Sequence, residues 1–157
     1  MEYRLTKTDL FNTLVGWSKF LKRKVHLIAC GGTAMTLLDA KDSTKDVDFM
    51  CPDNKEYNYL TGILKDLGYK SINARRWKKE DEAIVIDLYP GKNIHTTELL
   101  ESPLKKGNHI HSRNIGRIYL GVLNYYDLIS SKIFRGESVD FEDCLKRSKI
   151  VKFTAAR

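Results

Sequence analysis

Two aspartates separated by one residue are the first candidates for chemistry in this sequence. Asp46 and Asp48 alternate with Val47 and Phe49, so an extended chain places both carboxylates on one face of a strand. Two carboxylates on a partly buried face repel each other and lose hydration unless a cation compensates their charge. Mg²⁺ prefers hard oxygen ligands and is commonly completed by substrate phosphates. The pair therefore predicts a divalent metal site.

The apolar setting of this pair distinguishes it from the other acidic pairs of the chain. Glu80-x-Glu82 and Asp140-x-Glu142 lie in charged segments that are typical of solvated surface, whereas Asp46-x-Asp48 interrupts an otherwise apolar strand. A third carboxylate, Asp87, is set in the apolar run of residues 84–88. We expect Asp46, Asp48 and Asp87 to converge and to share metal ions. The alternative is that these aspartates serve in caps, in turns or as charges at a sheet edge.

A pair of glycines lies upstream, between a predicted strand and a predicted helix. Gly31 and Gly32 carry no Cβ, so the backbone can approach a ligand closely and present N–H groups to phosphate oxygens. Thr33 would add a hydroxyl donor to the same phosphate. The segment is neither a P-loop nor a dinucleotide fingerprint, because the Gly-Lys-Ser/Thr ending and the third spaced glycine are both missing. An ordinary tight turn is the alternative.

The elements that must position these residues follow from hydrophobic periodicity. Thr6-x-x-Asp9 predicts a capped first helix, and Asp53 and Gly68 predict the start and end of another. The remaining predictions are strands at 25–30, 46–51, 69–74, 83–89 and 117–123, a short helix at 33–38, a polar loop without core residues at 39–45, a charged turn at 75–81, and terminal helices at 125–134 and 139–148. Residues 94–116 show no clear order.

These elements predict one domain of the α/β (α+β) class that covers residues 1–157. We expect a mixed β-sheet with helices packed on it and further helices at the C-terminus. The chain has 42% hydrophobic residues, which suits a single core, and three cysteines, too few for a disulfide framework. Without an apolar leader or a membrane-spanning run, the sequence favours a cytoplasmic protein with no membrane partner.

The charge balance favours polyanionic partners. The chain has 27 Lys and Arg residues against 20 Asp and Glu, which gives a net charge of +7. Arg75, Arg76, Lys78 and Lys79 flank Trp77, and this cluster would bind RNA by phosphate contact and base stacking. A solvated charged turn is the alternative reading of the same segment.

The combined motifs resemble the nucleotidyltransferase superfamily, which has a DNA polymerase beta-like fold. The resemblance lies in residues 28–38, where a hydrophobic strand leads into Gly31-Gly32 and a short helix, and in residues 44–49, which carry the Asp-hydrophobic-Asp pattern. Asp87 matches the third carboxylate of the family. Residues 126–132 and 140–143 are similar to the C-terminal part of the AbiEii/MenT-like abortive-infection toxins, although that branch usually has a basic residue where this chain has Val139.

The resemblance implies transfer of a nucleoside monophosphate from an NTP, such as ATP or GTP, with release of pyrophosphate. Mg²⁺ or Mn²⁺ would be held by the three aspartates, which are also the implied catalytic residues. Gly31, Gly32, Thr33 and Lys132 would bind nucleotide phosphates, and Asp140 would support Lys132. The toxin branch implies a macromolecular acceptor, RNA, tRNA or protein, and an antitoxin partner.

Two other functions remain open at this stage. The first is an enzyme that modifies a small acceptor, as antibiotic-modifying members of the same superfamily do. The second is a catalytically silent module that binds nucleotide or nucleic acid.

Overall fold

The computed structural model describes residues 4–94, 97–124 and 126–129, which form a mixed sheet with helices packed on it. Helix α1 spans Lys7–Ser18, helix α2 spans Gly31–Leu37 and helix α3 spans Asn54–Asp66. The strands, in chain order, are β1 (Leu5–Thr6), β2 (Val25–Ala29), β3 (Ser43–Thr44), β4 (Val47–Cys51), β5 (Tyr69–Ser71), β6 (Arg76–Lys79), β7 (Val85–Pro90), β8 (Asn93–Ile94), β9 (Thr97–Glu98), β10 (His109–Ile115) and β11 (Ile118–Leu123).

Seven of these strands form the main sheet, in the order β10-β11-β2-β4-β7-β6-β5. The pairs β11/β2 and β4/β7 are parallel, and the other neighbours are antiparallel. Strands β4 and β7 lie at the middle of the sheet and are linked by α3 and the β5–β6 hairpin. The α+β class and the mixed sheet predicted from the sequence are confirmed.

Helices α1 and α3 cover one face of this sheet. Trp17 of α1 makes an edge-on contact with Phe49 of β4, with ring centroids 6.4 Å apart. The ammonium group of Lys65 in α3 lies 5.8 Å from the ring centroid of Trp77 in β6. Since side chains alternate along a strand, Asp48 points to the face opposite Phe49. The sheet therefore separates its main helical layer from the acidic residues.

The ends of the helices follow the predicted capping signals. Thr6 accepts a hydrogen bond from the backbone N–H of Asp9, whose carboxylate accepts one from the N–H of Thr6. Asp53 accepts hydrogen bonds from the N–H groups of Lys55 and Glu56 at the start of α3. Gly68 follows α3 with a φ of 97°. Local sequence therefore determines where α1 and α3 begin, because the caps satisfy N–H groups that the first helical turn leaves unpaired.

The polar segment at 39–45 departs from the prediction. We expected it to contribute nothing to the core, but Ser43–Thr44 forms strand β3 and pairs with β1. Thr44 is buried, and its hydroxyl donates a hydrogen bond of 2.9 Å to the backbone carbonyl of Asp46. A threonine can be buried at low cost when its hydroxyl is satisfied in this way, and hydrophobicity alone does not reveal such a position.

The charged turn predicted at 75–81 is also wrong. Arg76–Lys79 forms strand β6, which pairs with β5 on one side and β7 on the other. The strand forms because Trp77 is buried against α3, while its charged neighbours alternate away from that face. The preceding strand is correspondingly shorter than predicted, at Tyr69–Ser71.

Of the predicted terminal helices, the structure describes residues 126–129, which are helical. The rest of the first helix and the whole segment 139–148 lie outside the described residues. Cys30 and Cys51 are buried and form no disulfide among the described residues, and burial raises the pKa of Cys51 far above its ordinary value. None of the helices in the described part of the chain has both the length and the apolar character needed to cross a bilayer.

Candidate active site

Two of the predicted acidic residues lie side by side in the centre of the sheet. Strands β4 and β7 are parallel, and their register places Asp48 directly opposite Asp87. Neighbouring strands are separated by about 4.8 Å, so the two carboxylates leave the same face at adjacent positions. Asp87 is only 4% exposed. The expected convergence of acids from two strands is thus observed for this pair.

Asp46 joins the cluster through an arginine. The guanidinium of Arg76 donates two hydrogen bonds to Asp87, from Nε to Oδ1 at 3.0 Å and from Nη2 to Oδ2 at 3.2 Å. The same Nη2 lies 3.8 Å from Oδ2 of Asp46. Nη2 of Arg76 therefore approaches a carboxylate on β7 and another in the segment before β4, which places Asp46 close to Asp87.

The pairing with Asp87 further stabilises the charged form of Arg76. Its hydrogen bond to Asp87 raises the pKa of the Arg76 guanidinium above its ordinary value, and the charges of Asp87 and Asp46 act in the same direction. The fork geometry uses both oxygens of Asp87, which is the arrangement that gives an arginine–carboxylate pair its directionality. The site consequently carries its own cation.

Arg76 is the site residue that sequence reasoning missed. The sequence alone indicates only an RNA-binding or solvated charged segment there, whereas the structure places Arg76 opposite Asp87 in antiparallel register. The sequence signal for this position was Trp77. A large aromatic residue between charged residues is typical of a strand with one buried face. Read as a strand, the segment would have placed Arg76 and Lys78 on the side opposite Trp77.

Gly31 and Gly32 lie where helix α2 comes close to the side chains of Asp48 and Thr44. Helix α2 begins at Gly31, two residues earlier than predicted, and Gly31 has a φ of 54°. A Cβ on Gly31 would lie 2.8 Å from Oδ2 of Asp48, and a Cβ on Gly32 would lie 2.7 Å from the hydroxyl oxygen of Thr44. The absence of side chains here allows α2 to begin directly beside the Asp48 carboxylate.

Thr33 has a different position from the one expected of a phosphate ligand. It is fully buried, and its hydroxyl donates to the carbonyl of Asp46 at 3.1 Å while accepting from the N–H of Asp48 at 2.8 Å. The hydroxyl of Thr44 donates to the same Asp46 carbonyl. Thr33 therefore fixes the backbone on both sides of Val47, and its hydroxyl is engaged in positioning the aspartates.

Replacing Thr33 with valine is expected to lower the free energy of unfolding by about 1–3 kcal/mol, because a buried N–H and a buried C=O would each lose a hydrogen bond. Urea denaturation followed by circular dichroism would measure the change. Thr61→Val is the control, because Thr61 bonds only locally, to the carbonyl of Asn58 in the preceding turn of α3. Equal losses for the two variants would contradict this positioning role.

The chemistry of the acidic residues fits a hard divalent cation, since all three supply carboxylate oxygens and two of them are adjacent in register. Among the described residues, no three His, Cys, Asp or Glu side chains are arranged to ligate one ion. Shared ligation by Asp46, Asp48 and Asp87 thus requires rearrangement of side chains, including the guanidinium that bonds both oxygens of Asp87. Lys132 and Asp140 lie outside the described residues, and their roles stay predictions.

Comparison with solved structures reveals which proteins share this architecture. The solution structure of the antibiotic-resistance factor ANT(2″)-Ia has a TM-score of 0.64 and 14% identity, and the match covers 94% of this chain and 86% of that protein. This is the nucleotidyltransferase fold. The crystal structure of ANT(2″)-Ia with adenylyl-2″-tobramycin has a TM-score of 0.60 and 16% identity, covering 90% of this chain and 87% of the other.

A candidate nucleotidyltransferase from Thermotoga maritima shows a similar likeness across nearly the whole chain. Its crystal structure has a TM-score of 0.56 and 13% identity, and the match covers 99% of this chain and 98% of the other. No family model matches the sequence, and no curated protein matches it either. The nucleotidyltransferase fold is thus established by structure, at identities where sequence similarity carries little information.

Proposed function

We propose that this protein is a divalent-metal-dependent nucleotidyltransferase that transfers a nucleoside monophosphate from an NTP to a hydroxyl group. The observation that carries the proposal is the in-register placement of Asp48 beside Asp87, next to Gly31, in a nucleotidyltransferase fold. In the reaction, an acceptor oxygen would form a bond to the α-phosphorus as the bond to the β-phosphate oxygen breaks. The products are the nucleotidylated acceptor and pyrophosphate.

The three aspartates would hold Mg²⁺ or Mn²⁺, which supplies charge neutralisation for the triphosphate and makes the acceptor hydroxyl more acidic. Asp87 would accept the proton of that hydroxyl as a general base. The backbone N–H groups at Gly31 and Gly32 would donate to the β- and γ-phosphates, and Lys132 would neutralise charge on the leaving pyrophosphate with the support of Asp140. Thr33 would act indirectly, by holding the strand that carries Asp46 and Asp48.

A macromolecular acceptor, such as tRNA, another RNA or a protein, is the first candidate. The net charge of +7 favours a polyanion, and basic residues lie around the acidic cluster. Lys41 reaches within 4.0 Å of the Cβ position of Gly32, and Arg75 directly precedes Arg76. An enzyme of this kind would suit the toxin of a toxin–antitoxin pair, with a partner protein that restrains it.

A small acceptor is the second candidate, and the structural comparisons favour it. ANT(2″)-Ia shares the fold over most of both chains, and its crystal structure contains adenylylated tobramycin. An aminoglycoside is cationic, however, and would be expected to bind beside an acidic acceptor surface. The basic character of this chain therefore ranks the macromolecular acceptor ahead of the antibiotic.

Incubation with each α-³²P-labelled NTP and Mg²⁺ or Mn²⁺ would test the proposal. One series would contain total RNA and cell lysate, and the other a panel of aminoglycosides. We expect label in an RNA or protein band and release of pyrophosphate, both lost when EDTA is added. Label on an aminoglycoside alone would select the small acceptor. Nucleotide binding without metal dependence and without pyrophosphate release would instead indicate a silent binding module and would refute the enzyme.

A further inference from the structure

The acidic cluster holds an internal cation that competes for the atoms a metal ion would need. Arg76 donates to both oxygens of Asp87, and its Nη2 also approaches Asp46. These carboxylates are two of the three proposed metal ligands. Each of these oxygens has a second lone pair, but a divalent ion bound there would lie within a few Å of the guanidinium charge. Repulsion between two cations so close together in a partly buried site disfavours simultaneous binding, so the ion and the guanidinium compete.

The two partners of this ion pair differ in their freedom to move. The side chain of Asp87 is 6% exposed and lies on a central strand, whereas the side chain of Arg76 is 40% exposed and lies on a strand nearer the sheet edge. Arg76 can therefore rotate towards solvent without disturbing the core. Asp87 has no comparable path, so the arginine is the partner that moves.

We propose that Arg76 is a positioning residue that serves as a counterion for Asp46 and Asp87 in the metal-free protein and is displaced when a divalent cation binds. The inference rests on the proposed metal-dependent function. The guanidinium holds the two carboxylates together without metal, at the cost of weaker metal affinity. Free metal ion then binds poorly, and the negative charge of the acidic cluster is partly compensated between catalytic cycles.

Direct binding of Mn²⁺, followed by the EPR signal of the free ion, tests the competition without any assay of activity. Arg76→Gln removes the competing charge and should lower the Mn²⁺ dissociation constant by about tenfold or more, the scale expected when a charged hydrogen-bonded pair no longer has to be broken. Lys78→Gln is the matched control. Lys78 is exposed and lies on the same face of β6 but opposite Val85, so its loss should change the affinity by less than about twofold.

Thermal denaturation in EDTA provides a second readout. Arg76→Gln removes the guanidinium charge that pairs with Asp87 and approaches Asp46, so the melting temperature of the variant should fall below that of wild type. It should also recover more strongly than that of wild type when Mn²⁺ is added in excess of the chelator. If the glutamine variant does not fold, Arg76→Lys replaces it. Lysine keeps the charge but loses the two-pronged contact, and should tighten Mn²⁺ binding by a smaller factor.

The outcomes separate this inference from the proposed function. Equal Mn²⁺ affinities in wild type and Arg76→Gln, together with loss of binding in Asp87→Asn, would overturn the counterion role and leave the metal-dependent enzyme standing. Failure of both wild type and Arg76→Gln to bind Mn²⁺ would overturn both. Tighter binding in Arg76→Gln but not in Lys78→Gln supports the inference.

Discussion

Asp48→Asn is expected to lower the rate of nucleotidyl transfer by at least about a thousandfold and to leave the fold intact. Asparagine keeps the shape of the side chain but removes a negative charge that would help Asp46 and Asp87 to hold a divalent ion. The backbone N–H of residue 48 still bonds to Thr33, so the strand should remain in place. Release of pyrophosphate from the preferred NTP would measure the loss, and circular dichroism would establish folding.

Asp66→Asn is the matched control for this substitution. Asp66 is an exposed residue at the end of α3, on an element of the helical layer, and the same change there should leave the rate within about twofold of wild type. A folded Asp48→Asn protein that retained a tenth of the wild-type rate would contradict the proposed role of the acidic pair.

The acids of this site could be predicted because local patterns reveal them. Asp48 and Asp87 each interrupt an apolar strand, and a buried charge in such a setting needs a compensating partner whatever the fold. Alternation also predicts the face on which Asp48 lies. The sequence does not contain the register between β4 and β7, since pairing between distant strands depends on how the whole sheet assembles.

The role of Arg76 could not be predicted for the same reason. Trp77 within the basic run can indicate a strand, but the significance of Arg76 arises from the register that sets it opposite Asp87. The burial of Trp77 depends on α3 being packed above it, which is again a tertiary effect. The charged residues that interrupt an apolar strand were therefore predictable from the sequence, whereas the register that aligns each of them with a partner strand was not.

The register of the strands also explains how three charged side chains come together at one level of the sheet. Three neighbouring strands contribute one residue each at the same level, with Asp48 on β4, Asp87 on β7 and Arg76 on β6. A slip of one residue in either pairing would turn the side chains of one strand to the helical face and disperse the cluster. Burial of Phe49 and Trp77 under α1 and α3 opposes that slip, so the core that stabilises the sheet also maintains the alignment of the charged residues.

Substitution of Gly31 is the second change for which we expect a large effect, both on stability and on the rate of nucleotidyl transfer. Gly31→Ala is expected to lower the free energy of unfolding by about 1–2 kcal/mol, because an alanine at a φ of 54° adopts a left-handed conformation that its Cβ disfavours. Its Cβ would also lie 2.8 Å from the carboxylate of Asp48, which must then shift. A displacement of about 1 Å at a metal ligand is enough to lower the rate by about a hundredfold. Pyrophosphate release and urea denaturation would measure the two effects.

Gly62→Ala separates the effect of position from that of the substitution itself. Gly62 lies inside α3, and no atom outside its chain neighbours and the adjacent helix backbone lies within 4 Å of its Cβ position. Alanine there should therefore raise the free energy of unfolding by about 0.5–1 kcal/mol and leave the rate unchanged. Opposite signs of the stability change in the two variants would show that the close approach of α2 to Asp48 is what requires glycine. If Gly31→Ala retained the wild-type rate, the carboxylate of Asp48 could move without consequence, and the tight geometry around it would have no part in catalysis.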